Sequence, residues 1–339
     1  MYTEEHFFAE TLAPSRISYL TDFCAEADTV LRYDAFSKQS FKHIFSSIHD
    51  YAKKQNTPIR ILHNPLDGSV CGWMLPDYRN GAIHTAPFDY TVRNYFSAAN
   101  FTTAEKIQEF LLSAQQIFSQ AHAIHDKQEE IYISRMDFDL ANILCEAVLT
   151  RLLPQKQTEE NAEKGKQINR FFGAPTVYGN VCYIPELTEK ISKRYFVKGR
   201  PGTGKSTFLK RIASAVSDRG YTVYVYHCSF DPKSLDMIVV PELDFCIFDS
   251  TAPHEYFPIR PTDEILDLYR ECVVPGTDEE FKNTLDALES EYKEKLADGL
   301  VYLKKAKAEI DALEALIPNL EKNALEAETN YVLKLMFKL

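Results

Sequence analysis

The stretch GRPGTGKSTFLKRI at residues 199–212 decides how this 339-residue sequence folds. Its first eight residues fit the spacing G-x-x-x-x-G-K-[ST] in full. The apolar run RYFVK (194–198) comes before them and predicts a buried strand. The following segment, STFLKRIASAVSDRG (206–220), has apolar residues at helical spacing and ends at a glycine. Strand, glycine-rich loop and helix in this order predict a phosphate-binding loop.

Each residue type in this loop has a chemical reason. Gly199, Gly202 and Gly204 let the backbone turn tightly, so that successive N–H groups converge on phosphate oxygens. The start of the helix adds the positive end of its dipole. We expect the Lys205 ammonium to bind the β- and γ-phosphates and the Ser206 hydroxyl to ligate Mg²⁺. The predicted nucleotide-binding residues are Gly199, Arg200, Pro201, Gly202, Thr203, Gly204, Lys205, Ser206 and Thr207.

A Mg²⁺ ion beside such a loop needs a carboxylate at the end of a neighbouring hydrophobic strand. Two strands are predicted, YTVYVYHC (221–228) and LDFCIFDS (243–250), and Asp249 closes the second. Asp249 is therefore predicted as a metal ligand together with Ser206, and as a catalytic residue together with Lys205. No glutamate follows Asp249, so the sequence shows no catalytic base and predicts slow hydrolysis.

The sequence also aligns with itself. Five segments of the first half match segments of the second half in the same order, at offsets between 164 and 185 residues. The pairs are 6–23 with 170–187, 33–44 with 200–211, 59–67 with 223–231, 85–87 with 251–253, and 118–130 with 303–315. We predict an α/β protein with a P-loop fold duplicated in tandem, each copy a mostly parallel sheet flanked by helices. Residues 1–165 form a degenerate copy, and residues 166–339 form an active copy with a C-terminal helical extension.

The first copy has lost the residues that bind phosphate and metal. Its segment YDAFSKQSFKHI (33–44) aligns Lys38 with Lys205, but it contains no glycine and is about three residues shorter in the loop. No acid between residues 79 and 85 matches Asp249. We therefore predict that the first copy binds no Mg-nucleotide and that Lys38 is an ordinary surface lysine.

Two residues of the first half recur in the second: His63 as His227, and Asp67 as Asp231. Because they recur in a half without phosphate chemistry, we favour a structural role at the carboxyl edge of the sheet. Acceptor binding or proton transfer is the alternative. His254 has no histidine counterpart in the first half, which makes it a candidate site residue, with a solvent-exposed position as the alternative.

The segment 277–316 predicts one helix of about 60 Å that begins with Thr277 as the N-cap of a capping box. One possibility is a helical hairpin packed on itself or on its counterpart at 103–130. The other is an arm that binds a protein partner, or a lid. Arg260 and Arg270 lie between the strands and this helix and are candidate lid arginines.

The composition excludes several protein classes. A hydrophobic fraction of 45% with 26% charged residues indicates a globular chain. The net charge of −11 argues against a nucleic-acid-binding protein. The seven cysteines are scattered without a CxxC pair, which favours free thiols in a reducing compartment. With no secretory signal pattern and no apolar run of about 18 residues, no membrane association is expected and the predicted location is the cytoplasm.

Three segments, KGRPGTGKSTFLKRI, HCSFDPKSLD and FDSTAPH, resemble a family of uncharacterised bacterial P-loop proteins that are labelled ATPase or nucleotide-kinase-like. The resemblance covers nearly the whole chain, more faintly in the first half. It implies two tandem P-loop domains and nucleotide binding, whereas the substrate of that family is not established. Ser250 stands where members of the family tend to have glycine.

Three functions fit these observations. The first is an ATPase whose cycle drives a conformational change between the halves. The second is a nucleotide or small-molecule kinase, which the missing glutamate and the loop 227–236 with its acids and histidine favour. The third is a nucleotide-binding regulator without turnover. The guanine-selective NKxD motif is absent, so the expected ligands are ATP and Mg²⁺, with a protein partner possible on the helical extensions.

Overall fold

The computed structural model describes residues 3–7, 17–33, 36–84, 101–153, 163–252 and 254–339. Helices combine with sheets that contain parallel strand pairs, so the α/β class is confirmed. The strands, in chain order, are β1 (Thr3–Phe7), β2 (Thr29–Arg32), β3 (Ile59–His63), β4 (Val70–Leu75), β5 (Asn80–Ile83), β6 (Gln167–Arg170), β7 (Gly173–Thr176), β8 (Gly179–Cys182), β9 (Lys193–Lys198), β10 (Val223–His227), β11 (Leu235–Val240), β12 (Phe245–Asp249) and β13 (Glu264–Asp267).

The helices, in chain order, are α1 (Leu20–Ala25), α2 (Lys38–Lys54), α3 (Phe101–Ile133), α4 (Phe138–Leu152), α5 (Ile184–Leu187), α6 (Lys205–Asp218), α7 (Leu268–Cys272), α8 (Thr277–Glu280), α9 (Lys282–Glu314) and α10 (Lys322–Phe337). The chain divides into two compact units. Unit 1 consists of residues 1–116, 173–186 and 298–339, and unit 2 of residues 117–172 and 187–297. Within the described residues, no helix combines the length and the apolar character needed to cross a membrane.

The main sheet of unit 1 has the strand order β1-β3-β4-β5-β2. Its two outer pairs are parallel and its two inner pairs are antiparallel. The prediction of a mostly parallel sheet is therefore wrong for this unit, because short hairpin connections join β3, β4 and β5 and force antiparallel pairing. Helix α2 covers the sheet with Phe41, Ile44, Ile48 and Ala52, which recur at helical spacing and are fully buried around Trp73.

The sheet of unit 2 has the order β13-β9-β12-β11-β10-β6. Without β13 it repeats the sheet of unit 1: β6/β10 and β12/β9 are parallel, and β10/β11 and β11/β12 are antiparallel. The register is irregular at corresponding points, before His63 in β3 and before His227 in β10. Helix α6 buries Phe208, Leu209 and Ile212 on this sheet, as the sequence predicted.

The compact units differ from the predicted halves 1–165 and 166–339 because the halves exchange segments. Helix α4 comes from the first half and packs on α6 and α7 in unit 2. Helix α10 comes from the second half and packs on α2 and β5 in unit 1. The hairpin β7–β8 also belongs to unit 1, where the Val177 N–H donates to the Leu66 carbonyl at 2.8 Å. Each sheet is thus covered by an apolar helix from the other half.

The predicted helix 277–316 is two helices. Gly276, at φ 86°, is the N-cap of α8, and the hydroxyl of Thr277 instead donates to the Val274 carbonyl at 2.6 Å. The chain leaves helical geometry at Phe281 before α9 begins. Helix α9 packs against α3, as the hairpin alternative predicted. In unit 2 the rings of His125 and Tyr292 are 6.0 Å apart, and in unit 1 the Lys305 ammonium lies 5.8 Å from the Phe110 ring.

Candidate functional site

The predicted phosphate loop joins β9 to α6. Gly202 and Gly204 have φ values of 74° and 77°, in the left-handed region that only glycine adopts freely. A Cβ atom on Gly199 would stand 2.4 Å from the Thr203 hydroxyl oxygen. Thr203 is buried and closes the loop, because its hydroxyl donates to the Arg200 carbonyl at 2.8 Å. The backbone path of this loop therefore requires glycine at each of the three positions.

The N-terminus of α6 has no side-chain cap among the described residues. Its N-cap is Gly204, and the first intrahelical bond runs from the Phe208 N–H to the Gly204 carbonyl at 2.8 Å. The first N–H groups of a helix have no partner within the helix, and together they carry a partial positive charge. This end of α6 can therefore receive an anion.

Lys205 and Asp249, which the sequence places 44 positions apart, are brought together. The Lys205 ammonium donates to the Arg200 carbonyl at 2.8 Å and lies 3.6 Å from Asp249 Oδ2. Asp249 Oδ1 accepts hydrogen bonds from the Thr251 N–H at 3.0 Å and the Thr251 hydroxyl at 2.6 Å. Ser206 lies in the first turn of α6, where its hydroxyl oxygen accepts the Leu235 N–H at 2.9 Å.

Sequence reasoning did not single out Asp236, the second residue of β11. Met237 pairs with Phe248 in the antiparallel register, which sets Asp236 opposite Asp249. Burial and the Asp249 carboxylate raise the pKa of Asp236 to about 7. An acid inside the apolar strand LDMIVV was the available signal, but only the strand register makes it face Asp249.

The two facing carboxylates and the Ser206 hydroxyl fit a divalent cation. They supply the hard oxygen ligands that Mg²⁺ prefers. A cation between Asp236 and Asp249 would also relieve the repulsion that raises the pKa of Asp236. The residues that could hold Mg²⁺ are therefore Ser206, Asp249 and Asp236.

The side chain of Arg200, a predicted loop residue, contacts residues that lie outside the loop. Its guanidinium donates two hydrogen bonds to Asp278 Oδ2, at 3.0 Å and 2.7 Å, and lies 5.0 Å from the centre of the Tyr269 ring. The Tyr132 hydroxyl donates to the other oxygen of Asp278 at 2.8 Å. Burial would raise the pKa of Asp278, but the hydrogen bonds from Arg200 and Tyr132 hold it below its usual range. Of the remaining predicted residues, Pro201 is half-buried and Thr207 is exposed.

His227 and His63 play the same part in the two sheets. His227 Nδ1 lies 2.6 Å from the carbonyl of Pro232, and its Nε2 lies 3.0 Å from Asn169 Oδ1. His63 Nδ1 lies 2.8 Å from the carbonyl of Gly68. Both rings therefore bond the backbone of the loop five residues further on, which agrees with the predicted structural role.

Asp231 and Asp67 organise the same two loops. Asp231 accepts the Lys233 N–H at 3.1 Å and the Ser234 hydroxyl at 2.7 Å. Asp67 accepts both the N–H and the hydroxyl of Ser69, at 3.0 Å and 2.6 Å. Each carboxylate therefore holds a tight turn before the next strand.

The three other candidates lie in different surroundings. The ring of His254 packs edge-on against Phe172 at 5.1 Å, and burial lowers its pKa although the Asp249 charge acts in the opposite direction. Arg260 donates to two backbone carbonyls, those of Glu189 and Ile191, both at 2.8 Å. Arg270 is exposed. Pro253 and the matching turn at 85–87 lie outside the described residues.

Unit 1 surrounds its own lysine with charged side chains. The Lys38 ammonium is 2.6 Å from Asp67 Oδ2 and 4.0 Å from Glu314 Oε2. The Lys307 ammonium is 3.4 Å from the same oxygen of Asp67. The prediction of an ordinary surface lysine is therefore wrong. Lys38, like Lys205, is the first residue of its helix, but it pairs with a carboxylate at 2.6 Å that it shares with a second lysine, whereas Lys205 lies 3.6 Å from Asp249.

The positions of the two facing acids hold different residues in unit 1. Gly72 pairs with Ile83 as Met237 pairs with Phe248. Cys71 and His84 therefore stand where unit 2 has the acids. The His84 N–H donates to the Cys71 carbonyl at 2.8 Å, and both side chains are buried. This pair offers no oxygen ligand for Mg²⁺.

The helix start is also closed in unit 1. Ser37 is the N-cap of α2 and accepts the Ser40 N–H at 3.1 Å. The Ser37 hydroxyl donates to Asn319 Oδ1 at 2.6 Å, and the Leu320 N–H donates to the Ser40 hydroxyl oxygen at 3.0 Å. Side chains and the segment before α10 thus occupy the helix end that is uncapped in unit 2.

Comparison with known proteins finds no match to this chain among protein-family models, curated proteins or solved structures. The function must therefore be inferred from the geometry of the site.

Proposed function

We propose that unit 2 binds Mg-ATP in a P-loop and hydrolyses it, and that unit 1 is a degenerate copy of the same fold. The observation that carries the proposal is the uncapped start of α6. It directly follows the glycine loop, and its first residue, Lys205, lies 3.6 Å from Asp249. A cation, an uncapped helix end and an acid at the end of the neighbouring strand are the parts that phosphate and Mg²⁺ binding requires.

The residues have distinct roles in this proposal. The N–H groups of Gly202 and of residues 204–207 bind the phosphate oxygens, because Pro201 has no N–H and the Arg200 N–H already donates to the Thr203 hydroxyl oxygen at 3.2 Å. Lys205 exchanges its bond to the Arg200 carbonyl for the β- and γ-phosphates. Ser206 and Asp249, with Asp236 beside them, hold Mg²⁺, which neutralises charge on the phosphates. ATP is proposed because the sequence lacks the motif that selects guanine.

The matching strand orders of the two sheets support the duplication. Five consecutive strands pair in the same order and with the same directions in both units. Helices α3 and α9 each contribute residues to both units. Hydrolysis is proposed to be coupled through these helices to a conformational change between the units. Their packing against each other favours this role over an arm that binds a protein partner.

A kinase is the second candidate, because no glutamate follows Asp249 to activate water. Phosphoryl transfer would then use a hydroxyl acceptor near loop 227–236. A nucleotide-binding regulator without turnover is the third possibility.

Two measurements test the proposal. Calorimetric titration with a non-hydrolysable ATP analogue and Mg²⁺ should give a stoichiometry near one per chain. Phosphate release from ATP should then proceed without any acceptor. Formation of ADP only when a nucleoside, nucleotide or sugar is added would favour the kinase, and absence of binding would overturn the proposal.

A further inference from the structure

The last turns of α3 pack directly on the phosphate loop of unit 2. A Cβ atom on Gly202 would stand 2.6 Å from the carbonyl oxygen of Glu129 and 2.9 Å from its Cα. A Cβ atom on Gly204 would meet Cε of Met136, three residues after the end of α3, at 3.8 Å. Only a glycine permits the approach at residue 202, so the loop and the backbone of Glu129 are in contact. The sequence did not indicate this contact, because α3 precedes the loop by some 70 residues.

Two ionisable side chains on this part of α3 lie close to each other. Glu129 Oε1 lies 3.7 Å from Nδ1 of His125, one helical turn earlier. Burial lowers the pKa of His125, the Glu129 and Asp126 carboxylates act in the opposite direction, and the His122 and Lys205 charges lower it further. Both side chains are partly exposed to solvent, so water can reach the Glu129 carboxylate.

The corresponding position in unit 1 shows how close a glutamate of the long helix can lie to the lysine at the start of the central helix. The internal alignment pairs 118–130 with 303–315, and therefore Glu129 with Glu314, and it pairs Lys38 with Lys205. In unit 1 the Glu314 carboxylate lies 4.0 Å from the Lys38 ammonium. A glutamate at this position of the long helix therefore approaches the lysine at the start of the central helix. In unit 2 that lysine is the predicted γ-phosphate ligand.

We propose that Glu129 is the general base for ATP hydrolysis at this site and that His125 positions its carboxylate. The base would then come from α3, whereas the strand that ends at Asp249 supplies none. This inference rests on the proposed function of unit 2.

The reaction balances as a hydrolysis. The Glu129 carboxylate accepts a proton from a water molecule as the water oxygen bonds to the γ-phosphorus. The bond from the γ-phosphorus to the β–γ bridging oxygen breaks, and its electron pair leaves with ADP. Lys205 neutralises charge on the phosphate oxygens. Glu129 then releases its proton to solvent, so that the products are ADP, inorganic phosphate and one proton.

The Glu129→Gln variant tests the assignment, because it keeps the size of the side chain and removes the base. We expect kcat to fall by roughly 100-fold or more. The Kd for a non-hydrolysable Mg-ATP analogue should change by no more than about threefold, because the proposed role is in turnover. The matched control is Glu130→Gln, which removes an exposed carboxylate from the next position and should leave both values unchanged.

Thermal melting of each variant distinguishes lost chemistry from lost folding, and Glu129→Asp provides a second variant. It keeps the carboxylate on a shorter side chain, so its kcat should lie between those of wild type and Glu129→Gln. Wild-type turnover in Glu129→Gln would overturn the general-base assignment and leave the proposed hydrolysis intact. Wild-type protein that binds the analogue without turnover would also overturn the assignment. Absence of binding in wild-type protein would overturn the proposed function, and the inference with it.

Discussion

Lys205 and Lys38 each begin the central helix of their unit, but their surroundings differ. Lys205 follows a glycine loop and contacts a backbone carbonyl and Asp249. Lys38 follows the capping residue Ser37 and contacts Asp67, with Glu314 close by. In unit 1 the lysine forms a 2.6 Å ion pair with a carboxylate, whereas in unit 2 it begins the uncapped helix that is proposed to bind phosphate.

The residues that the fold requires differ from those that the proposed ligand requires. Both sheets keep the same order of five strands, so the glycine loop and the acid pair are not required for folding. In unit 1, where the loop is absent, the start of α2 and the partly exposed Lys38 ammonium have partners within the chain. This is expected, because an unpaired helix end or an unpaired charge would cost stability.

Replacing the two lysines should have the most unequal effect. In the proposed function Lys205 makes charge-assisted hydrogen bonds to phosphate worth about 2 kcal/mol each, so Lys205→Ala should lower Mg-ATP affinity roughly 1,000-fold for two such bonds. Lys38→Ala should leave the affinity unchanged. Calorimetric titration with a non-hydrolysable analogue measures both. Equal weakening in the two variants, or a wild-type stoichiometry near two, would show that unit 1 also binds nucleotide.

Replacing the two loop aspartates should give a smaller difference, now in stability. Asp67→Asn leaves Lys38 and Lys307 without their shared carboxylate and should cost about 2–3 kcal/mol, below the usual range for buried pairs because Lys38 is partly exposed. Asp231→Asn weakens hydrogen bonds from neutral groups and should cost about 1 kcal/mol. Urea unfolding measures both free energies. Equal losses of unfolding free energy would mean that the ion pairs of Asp67 with the two lysines contribute no stability.

The Asp67 contribution should also depend on pH. Burial would raise the pKa of Asp67, but the Lys38 ammonium outweighs it and holds the pKa below its usual range. A lowered folded-state pKa stabilises the protein above the unfolded value of about 3.9, and this stability is lost as the pH falls through the folded value. The difference in unfolding free energy between wild type and Asp67→Asn should therefore be constant from pH 7 to about 5 and shrink below about 4. A difference that grows towards acid pH would contradict the ion-pair assignment.

Much of unit 2 could be predicted because local signals agree there. The strand, the glycine loop and α6 follow from residue types at fixed spacing, and Phe208, Leu209 and Ile212 are buried as their periodicity indicated. The strand directions within each sheet were harder to predict. Parallel pairing was expected, but the short connections between β3, β4 and β5 make these neighbours antiparallel.

The partners of the helices could not be predicted. The apolar periodicity of α4 and α10 shows which face is buried, but either sheet could cover that face. Their exchange between halves therefore appears only in the structure, as does the contact of Glu129 with Gly202. Asp236 was missed for a similar reason, because a strand register is a pairwise property that one strand alone does not encode.

The smallest expected effect concerns the cap that closes the helix start in unit 1. Ser37→Ala removes the acceptor of the Ser40 N–H and the donor to Asn319, and should cost about 1 kcal/mol. Ser37→Gly should cost only a few tenths of a kcal/mol, because glycine is also tolerated at an N-cap. Ser37→Asp should keep the capping bond, although its carboxylate cannot donate to Asn319.

Urea unfolding measures the loss of unfolding free energy in these three variants. Nucleotide titration shows whether any of them changes binding at the site proposed in unit 2. All three should bind Mg-ATP with wild-type affinity, because in the proposed function the cap occupies a helix end that takes no ligand. If Ser37→Ala instead created a second nucleotide site, the cap would be the feature that excludes phosphate from unit 1. If it weakened nucleotide binding, the start of α2 would contribute to the site, which would contradict the proposal that only unit 2 binds nucleotide.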